Sequence, residues 1–307
     1  MDKYKKTQKT SFWRKKRWWL MSGVAGIAVI ALSIGVFISS QPEFINAAEA
    51  DDVMAAQEGM DFGILIPTYI PKGFDRENVA IKVDTASGPS GEPVAELTYR
   101  NLGKKAAIFI RQWVPGNPDL ENLVGSFPIE TKWGKGYLME QGKGTVIGTV
   151  WVMVGPLRIA VQSSNLDVVS KEQLVQIANT MGLASQDQVY TFKMDPLKIY
   201  GIAPPPPFEV QINSEGIQEL NLTISPGGYS PIRFAVKKNI PVKVNFRALG
   251  DVGCGNTLIM PYGPNSAGAQ LTPEKPLVVV EFTPETAGDW EFYCGTRCWR
   301  GVMTVRN

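Results

Sequence analysis

No histidine occurs anywhere in the 307 residues. That absence excludes a general acid or base of the usual imidazole type, and every metal centre that needs an imidazole ligand. Cysteine is scarce. There are three, Cys254, Cys294 and Cys298, all within the last 54 residues. Positive charge is scarce outside the amino terminus: eight of the 31 Lys and Arg lie within the first 17 residues. Setting those aside with Asp2 leaves 23 basic against 28 acidic residues. Such a body offers no basic surface for nucleic-acid phosphates, and no nucleic-acid motif is present, so no nucleic-acid partner is expected. Heptads and internal repeats are absent as well. Apolar content of 44% and charged content of 20% are those of a globular chain.

What is present begins with a long hydrophobic run. Residues 18–38 carry no charge over 21 positions, which as a helix spans roughly 30 Å, the thickness of a hydrocarbon core. The basic tail, residues 1–17, precedes it, and Glu43, Glu49, Asp51 and Asp52 follow. The positive-inside rule then predicts a single-pass membrane anchor with everything after about residue 39 extracytoplasmic. Trp13, Trp18 and Trp19 stand where interfacial aromatics belong. A cleaved signal peptide, with Ala48-Glu49-Ala50 as the cleavage site, is the alternative, and it leaves the same residues outside the cell.

Residues 39–59 lack an apolar period and read as a linker. From Met60 the texture changes. Runs rich in Val, Ile, Tyr and Trp at 95–99, 106–113, 136–140, 146–154 and 157–163 predict strands. Ser170-Lys-Glu-Gln173 has capping-box form, Leu174, Ile177, Ala178 and Met181 make an apolar stripe, and Gly182 supplies a stop. Residues 60–186 therefore read as an α+β unit, an antiparallel sheet closed by a carboxy-terminal helix. With Pro67, Pro71, Gly73 and Phe74 at its opening, this stretch resembles an uncharacterised exported domain of bacterial membrane proteins, some of them anti-sigma-like. No paired catalytic acids and no nucleophile–base set appear in it, so binding or sensing is the expected role. Trp113, Trp133 and Trp151 read either as core or as a binding face.

Residues 187–207 end in four prolines, Pro204 to Pro207, and read as a semi-rigid spacer. Beyond them, strand patterns recur at 208–212, 218–225, 232–237, 242–248, 277–283, 288–293 and 301–306, with Gly, Asn and Pro turns between. About seven short strands in a hundred residues predict an all-β sandwich. Leu220, Leu222 and Ile224 alternate with Asn221 and Thr223, as in a half-buried strand.

Three motifs in this region occur in a telling order: Gly228-Tyr-Ser-Pro231 followed by a strand and Lys238-Asn-Ile-Pro-Val-Lys-Val244, then Pro284-x-x-x-Gly288-x-Trp-x-Phe-Tyr-Cys-Gly295, then Gly301-Val-Met-Thr-Val305. Together they resemble the cupredoxin-like domains of the plastocyanin, azurin and dinuclear-copper oxidase type, over residues 208–307. The resemblance implies a Greek-key β-sandwich with a metal site at one end, where Cys294 matches the copper cysteine. Cys254 falls where the first histidine would stand. Cys298 falls at the place of the second histidine or of the methionine. Both histidines of a blue-copper or dinuclear site are missing, so neither can form. What the resemblance leaves is three thiols, soft ligands suited to Cu(I), with Zn(II) as competitor. Met260 and Met303 are candidate thioether additions, Met303 being equally readable as core. The rival reading is a disulfide among the cysteines with no metal cofactor, the sandwich serving as scaffold for a sensor or interaction protein.

The sequence thus predicts a multidomain chain: a transmembrane helix, an α+β unit and a cupredoxin-like β-sandwich. Its expected role is copper binding, delivery or sensing rather than catalysis. The expected partners are the membrane and a copper donor or acceptor. A cupredoxin scaffold without metal is the second reading, and an electron carrier ranks third.

Overall fold

The computed structural model describes residues 47–116, 125–185, 187–201 and 204–307. Two α-helices are described, α1 (Ala47–Gln57) and α2 (Lys171–Asn179); the remaining regular structure is strand, apart from two short 3-10 turns. No helix among the described residues is long and apolar enough to cross a membrane. The expectation of a multidomain chain led by a transmembrane helix is corrected on this point. The run at 18–38 on which it rested, and the tail before it, lie outside the described residues. Within them the apolar residues fall on short strands with alternating burial, and the 11 residues of α1 reach only about 17 Å. One apolar core cluster also runs through both halves of the described chain, from Val53 to Val305.

The first half is a seven-stranded antiparallel sheet in the order β2-β3-β4-β8-β7-β6-β5. Its strands are β2 (Ala80–Asp84), β3 (Val94–Asn101), β4 (Ala106–Trp113), β5 (Ser126–Thr131), β6 (Gly134–Gln141), β7 (Ile147–Val154) and β8 (Leu157–Ser163). Alternation along them sends Leu97, Tyr99, Ile108, Ile110, Val150, Val152, Ile159 and Val161 inward. Helix α2 carries the predicted capping box, Ser170 accepting from the Gln173 amide while the Gln173 side chain accepts from the Ser170 amide. It ends at Asn179, two residues short of the expected stripe. Met181 instead opens a strand, β9 (Met181–Leu183), paired with β1 (Leu65–Pro67).

Side-chain amides fasten the segment before β2. Gln112 bonds both the N–H and the C=O of Leu65, and the buried pair Gln57 and Gln188 does the same for Ile64. These inward glutamines are satisfied by backbone N–H and C=O groups, as buried polar side chains must be.

Helix α1 occupies part of what the sequence reads as linker, and it buries Val53 and Glu49. Glu49 receives Arg76 at 3.0 Å and the Tyr99 hydroxyl at 2.5 Å. Burial pushes the Glu49 carboxyl up from its ordinary value, while Tyr99 and Arg76 oppose that shift. Removing one member leaves the other buried and uncompensated. Glu49→Ala is therefore expected to cost about 3 kcal/mol in urea unfolding; a loss under about 0.5 kcal/mol would show that α1 adds nothing to the core.

The second half is a sandwich of two mixed sheets. The larger has the order β10-β13-β19-β18-β15-β16, built from β10 (Phe208–Glu209), β13 (Arg233–Lys237), β19 (Arg300–Arg306), β18 (Gly288–Tyr293), β15 (Thr257–Tyr262) and β16 (Asn265–Gln270). The smaller is β12-β11-β14-β17, from β12 (Gly228–Ser230), β11 (Gln218–Ser225), β14 (Val242–Ala248) and β17 (Leu277–Phe282). Leu220, Leu222 and Ile224 are buried, as their alternation predicts, against Phe234, Phe246, Phe292 and Met303. The hairpin β15–β16 is absent from the strand reading of the sequence, because Gly, Pro, Asn and Ser interrupt its apolar residues.

The segment read as a spacer is packed. Phe192, Met194, Ile199 and Tyr200 are all buried. Where the two halves meet, backbone approaches backbone. A Cβ on Gly227 would lie 2.0 Å from the Val154 carbonyl oxygen, so glycine is required there for steric reasons alone.

Candidate metal centre

Strands β18 and β19 are antiparallel neighbours whose last pair is Tyr293 with Arg300. The loop between them, residues 294–299, carries Cys294 and Cys298. Its ends are drawn together by the Cys294 N–H donating to the Trp299 carbonyl at 3.1 Å, and a turn inside it by the Arg297 N–H donating to the Cys294 carbonyl at 2.9 Å. Arg297 adopts a left-handed φ of 59°, uncommon for a residue with a Cβ. Its guanidinium lies 4.2 Å from the Tyr293 ring centroid, a cation–π contact that helps offset that strain.

Cys254 arrives from a different loop, the 3-10 turn Gly253–Asn256 leading into β15. Ile259 of β15 pairs with Tyr293 of β18, so this turn emerges at the same end of the sheet as the 294–299 loop. Gly255 lets the turn sit close: a Cβ there would be 3.1 Å from the Trp299 ring and 3.0 Å from Ile224.

The three sulfurs therefore converge. All lie within 4.8 Å of one another, and Cys254 Sγ is 3.6 Å from Cys294 Sγ. Cys294 and Cys298 are buried and Cys254 is half-buried. The thiols are free; a disulfide would need two of them to close to about 2.05 Å. The Thr296 hydroxyl touches the whole set, 2.8 Å from Cys254 Sγ, 2.9 Å from Cys298 Sγ and 3.6 Å from Cys294 Sγ.

The trio shares its protons unequally. Hydrogen bonds from Cys254 and Cys298 hold Cys294 far below the usual thiol range, and it is the group that ionises first. The same contacts push the others up, Cys254 chiefly through Cys294 and Cys298 chiefly through Cys254. Tyr229 sits on the buried flank. Its hydroxyl has no hydrogen-bond partner among the described residues. Burial first, then the charges of Cys294 and Cys254, raise it well above its ordinary value. The buried Trp299 Nε1 is likewise without a partner.

These residues suit a thiophilic ion. A three-sulfur site with metal–sulfur bonds of about 2.3 Å has sulfurs about 4 Å apart, a spacing this cluster already approximates. They do not suit a blue-copper or dinuclear-copper centre, because no imidazole exists in the chain.

Met303 pairs with Trp290, three residues down β19 from the closing pair and so about 10 Å along the strand. Met260 is buried one residue past the Ile259–Tyr293 bridge. The three tryptophans do not share a face. Trp113 and Trp151 meet edge to face at 6.0 Å on the outer side of the seven-stranded sheet. Trp133 instead donates to the Ala178 carbonyl at the end of α2.

Sequence reasoning missed Thr296, Tyr229 and Trp299, and also the strap that braces the loop. Met194 donates its N–H to the Cys298 carbonyl at 2.9 Å, Arg300 returns a bond to the Met194 carbonyl, and the Phe192 ring meets Trp299 edge-on at 5.9 Å. Thr296 could have been noticed as the central residue of a Cys-x-x-x-Cys loop. The strap left no signal beyond isolated apolar residues in a polar stretch.

No family model matches the chain, and no curated protein matches it. Solved structures do. One is the metal-binding domain of the Streptococcus pneumoniae D39 Cu(I)-exporting P-type ATPase CopA with Cu(I), 22% identical over 33% of this chain and 97% of that one, with a TM-score of 0.30. Another is a copper binding protein solved by NMR in its apo form, 31% identical over 33% of this chain and 98% of that one, TM-score 0.29. A third is auracyanin B, 14% identical over 32% and 94%, TM-score 0.26. Each of these three likenesses covers about a third of this chain.

Proposed function

We propose that this protein binds copper as Cu(I) through the thiolates of Cys254, Cys294 and Cys298, and holds it for storage, delivery or sensing. The observation that carries the reading is the convergence of three free thiols from two separate loops, within 4.8 Å of one another and mostly withdrawn from solvent. Soft thiolates select Cu(I) over harder ions. The lack of histidine removes the ligands that would stabilise Cu(II) and allow rapid redox cycling. The role is binding rather than catalysis, and the partner is a donor or acceptor of copper.

Anaerobic titration of the reduced full chain with Cu(I), against a competing chelator, tests this. About one equivalent should be taken up. Uptake should weaken as pH falls, because Cys254 and Cys298 must lose protons to coordinate. Addition of Cu(II) should give no intense blue or purple band, since the histidine ligands of those centres are missing. A bridge between two cysteines that survives mild reductant, together with no copper bound after reconstitution, would overturn the proposal.

A further inference from the structure

Thr296 stands at a point no other side chain of the loop occupies. Its residue is exposed, yet its hydroxyl reaches inward to sulfurs of two different loops, Cys254 at 2.8 Å and Cys298 at 2.9 Å. Cys254 otherwise meets the 294–299 loop through sulfur alone, in the weaker 3.6 Å approach to Cys294 and in its contact with Cys298. Backbone hydrogen bonds hold the ends of the 294–299 loop to each other and to Met194, not to the Gly253–Asn256 turn.

From this geometry we infer that Thr296 is a positioning residue of the cysteine site: its hydroxyl ties the Cys254 turn to the Cys298 loop and keeps the three sulfurs at coordinating distance. This rests on the copper reading for its purpose, but not for its structural content. A hydroxyl has one proton to give and two lone pairs to accept with. Its oxygen can accept hydrogen bonds from the S–H groups while the sulfurs are protonated, and its O–H can donate to one thiolate once they are not. It therefore serves the trio in either condition without becoming a ligand. Like its neighbours Gly295 and Arg297 it is exposed, and it stands beside half-buried Cys254.

The test compares Thr296→Val, which keeps the branched shape and loses the hydroxyl, with Thr296→Ser, which keeps the hydroxyl. Both are made in the full chain. Two readouts are taken: the rate of iodoacetamide alkylation of each cysteine in reduced protein without metal, and Cu(I) affinity by chelator competition. Thr296→Val should raise the alkylation rate of Cys254 several-fold and lower Cu(I) affinity about tenfold, the worth of one or two modest hydrogen bonds. Thr296→Ser should restore both towards wild type, and thermal unfolding of the valine variant should stay within a few degrees of wild type. Unchanged alkylation and affinity in Thr296→Val would overturn the inference, as would a serine variant that behaves like valine. If no variant binds Cu(I), wild type included, but valine still frees Cys254 for alkylation, the positioning role stands and the copper reading falls.

Discussion

Cys294→Ser is expected to reduce anaerobic Cu(I) uptake by the full chain from about one equivalent to none above background. Cys294 follows the last residue pair of β18, is fully buried, and has both its N–H and its C=O engaged within the loop. A serine oxygen is a poor ligand for a soft ion. Cys254→Ser should weaken uptake less, because its turn is half exposed and two buried sulfurs remain. Cys298→Ser should fall between the two. The measurement is copper content after gel filtration in the presence of a chelator. Full uptake by Cys294→Ser would show that the ligand set is wrong, whatever the other two variants do.

The second large effect is expected at Trp299. Its ring is fully buried between Phe192 of the strap and Gly255 of the Cys254 turn, and its carbonyl accepts from Cys294. Trp299→Ala should cost about 4 kcal/mol in urea unfolding, the usual range for emptying a buried aromatic site. Copper uptake should fall with it, since both cysteine loops lean on the ring. Trp299→Phe should cost clearly less. It keeps part of the packing and gives up an indole N–H that has no partner among the described residues, so no hydrogen bond is lost. A loss below about 1 kcal/mol for the alanine variant would show that the ring is not what joins the two loops to the strap.

The contrast between Cys254 and Thr296 shows how far sequence reasoning reached into the site. All three cysteines were found, because cysteine is rare here and its chemistry narrows the choices. Thr296 was not, because threonine is common and its role depends on a turn that aims one hydroxyl at two loops. The strap was misread for a related reason. Phe192, Met194, Ile199 and Tyr200 have neither the period of a strand nor that of a helix, and four prolines close by signal a spacer. Their burial comes from fitting a surface built by distant residues. The helix α1 was missed because its apolar and acidic residues make no regular stripe, and its buried Glu49 is stabilised by Arg76 and Tyr99 from elsewhere in the chain.

By itself the sequence determined the properties that are local or additive: the strand and turn periods that specify a sandwich over the last hundred residues, the capping box of α2, and, through the missing histidines, the exclusion of an imidazole copper centre. These are readable because alternation, capping and ligand chemistry depend on residues near in sequence or on composition alone. Tertiary structure decided the rest. It alone brought Cys254, 40 residues from Cys294, to 3.6 Å from it, set Thr296 over the three sulfurs, and clamped the connecting segment against Trp299. Each of those contacts depends on long-range register and close packing, in which the position of one side chain is set by many distant ones at once.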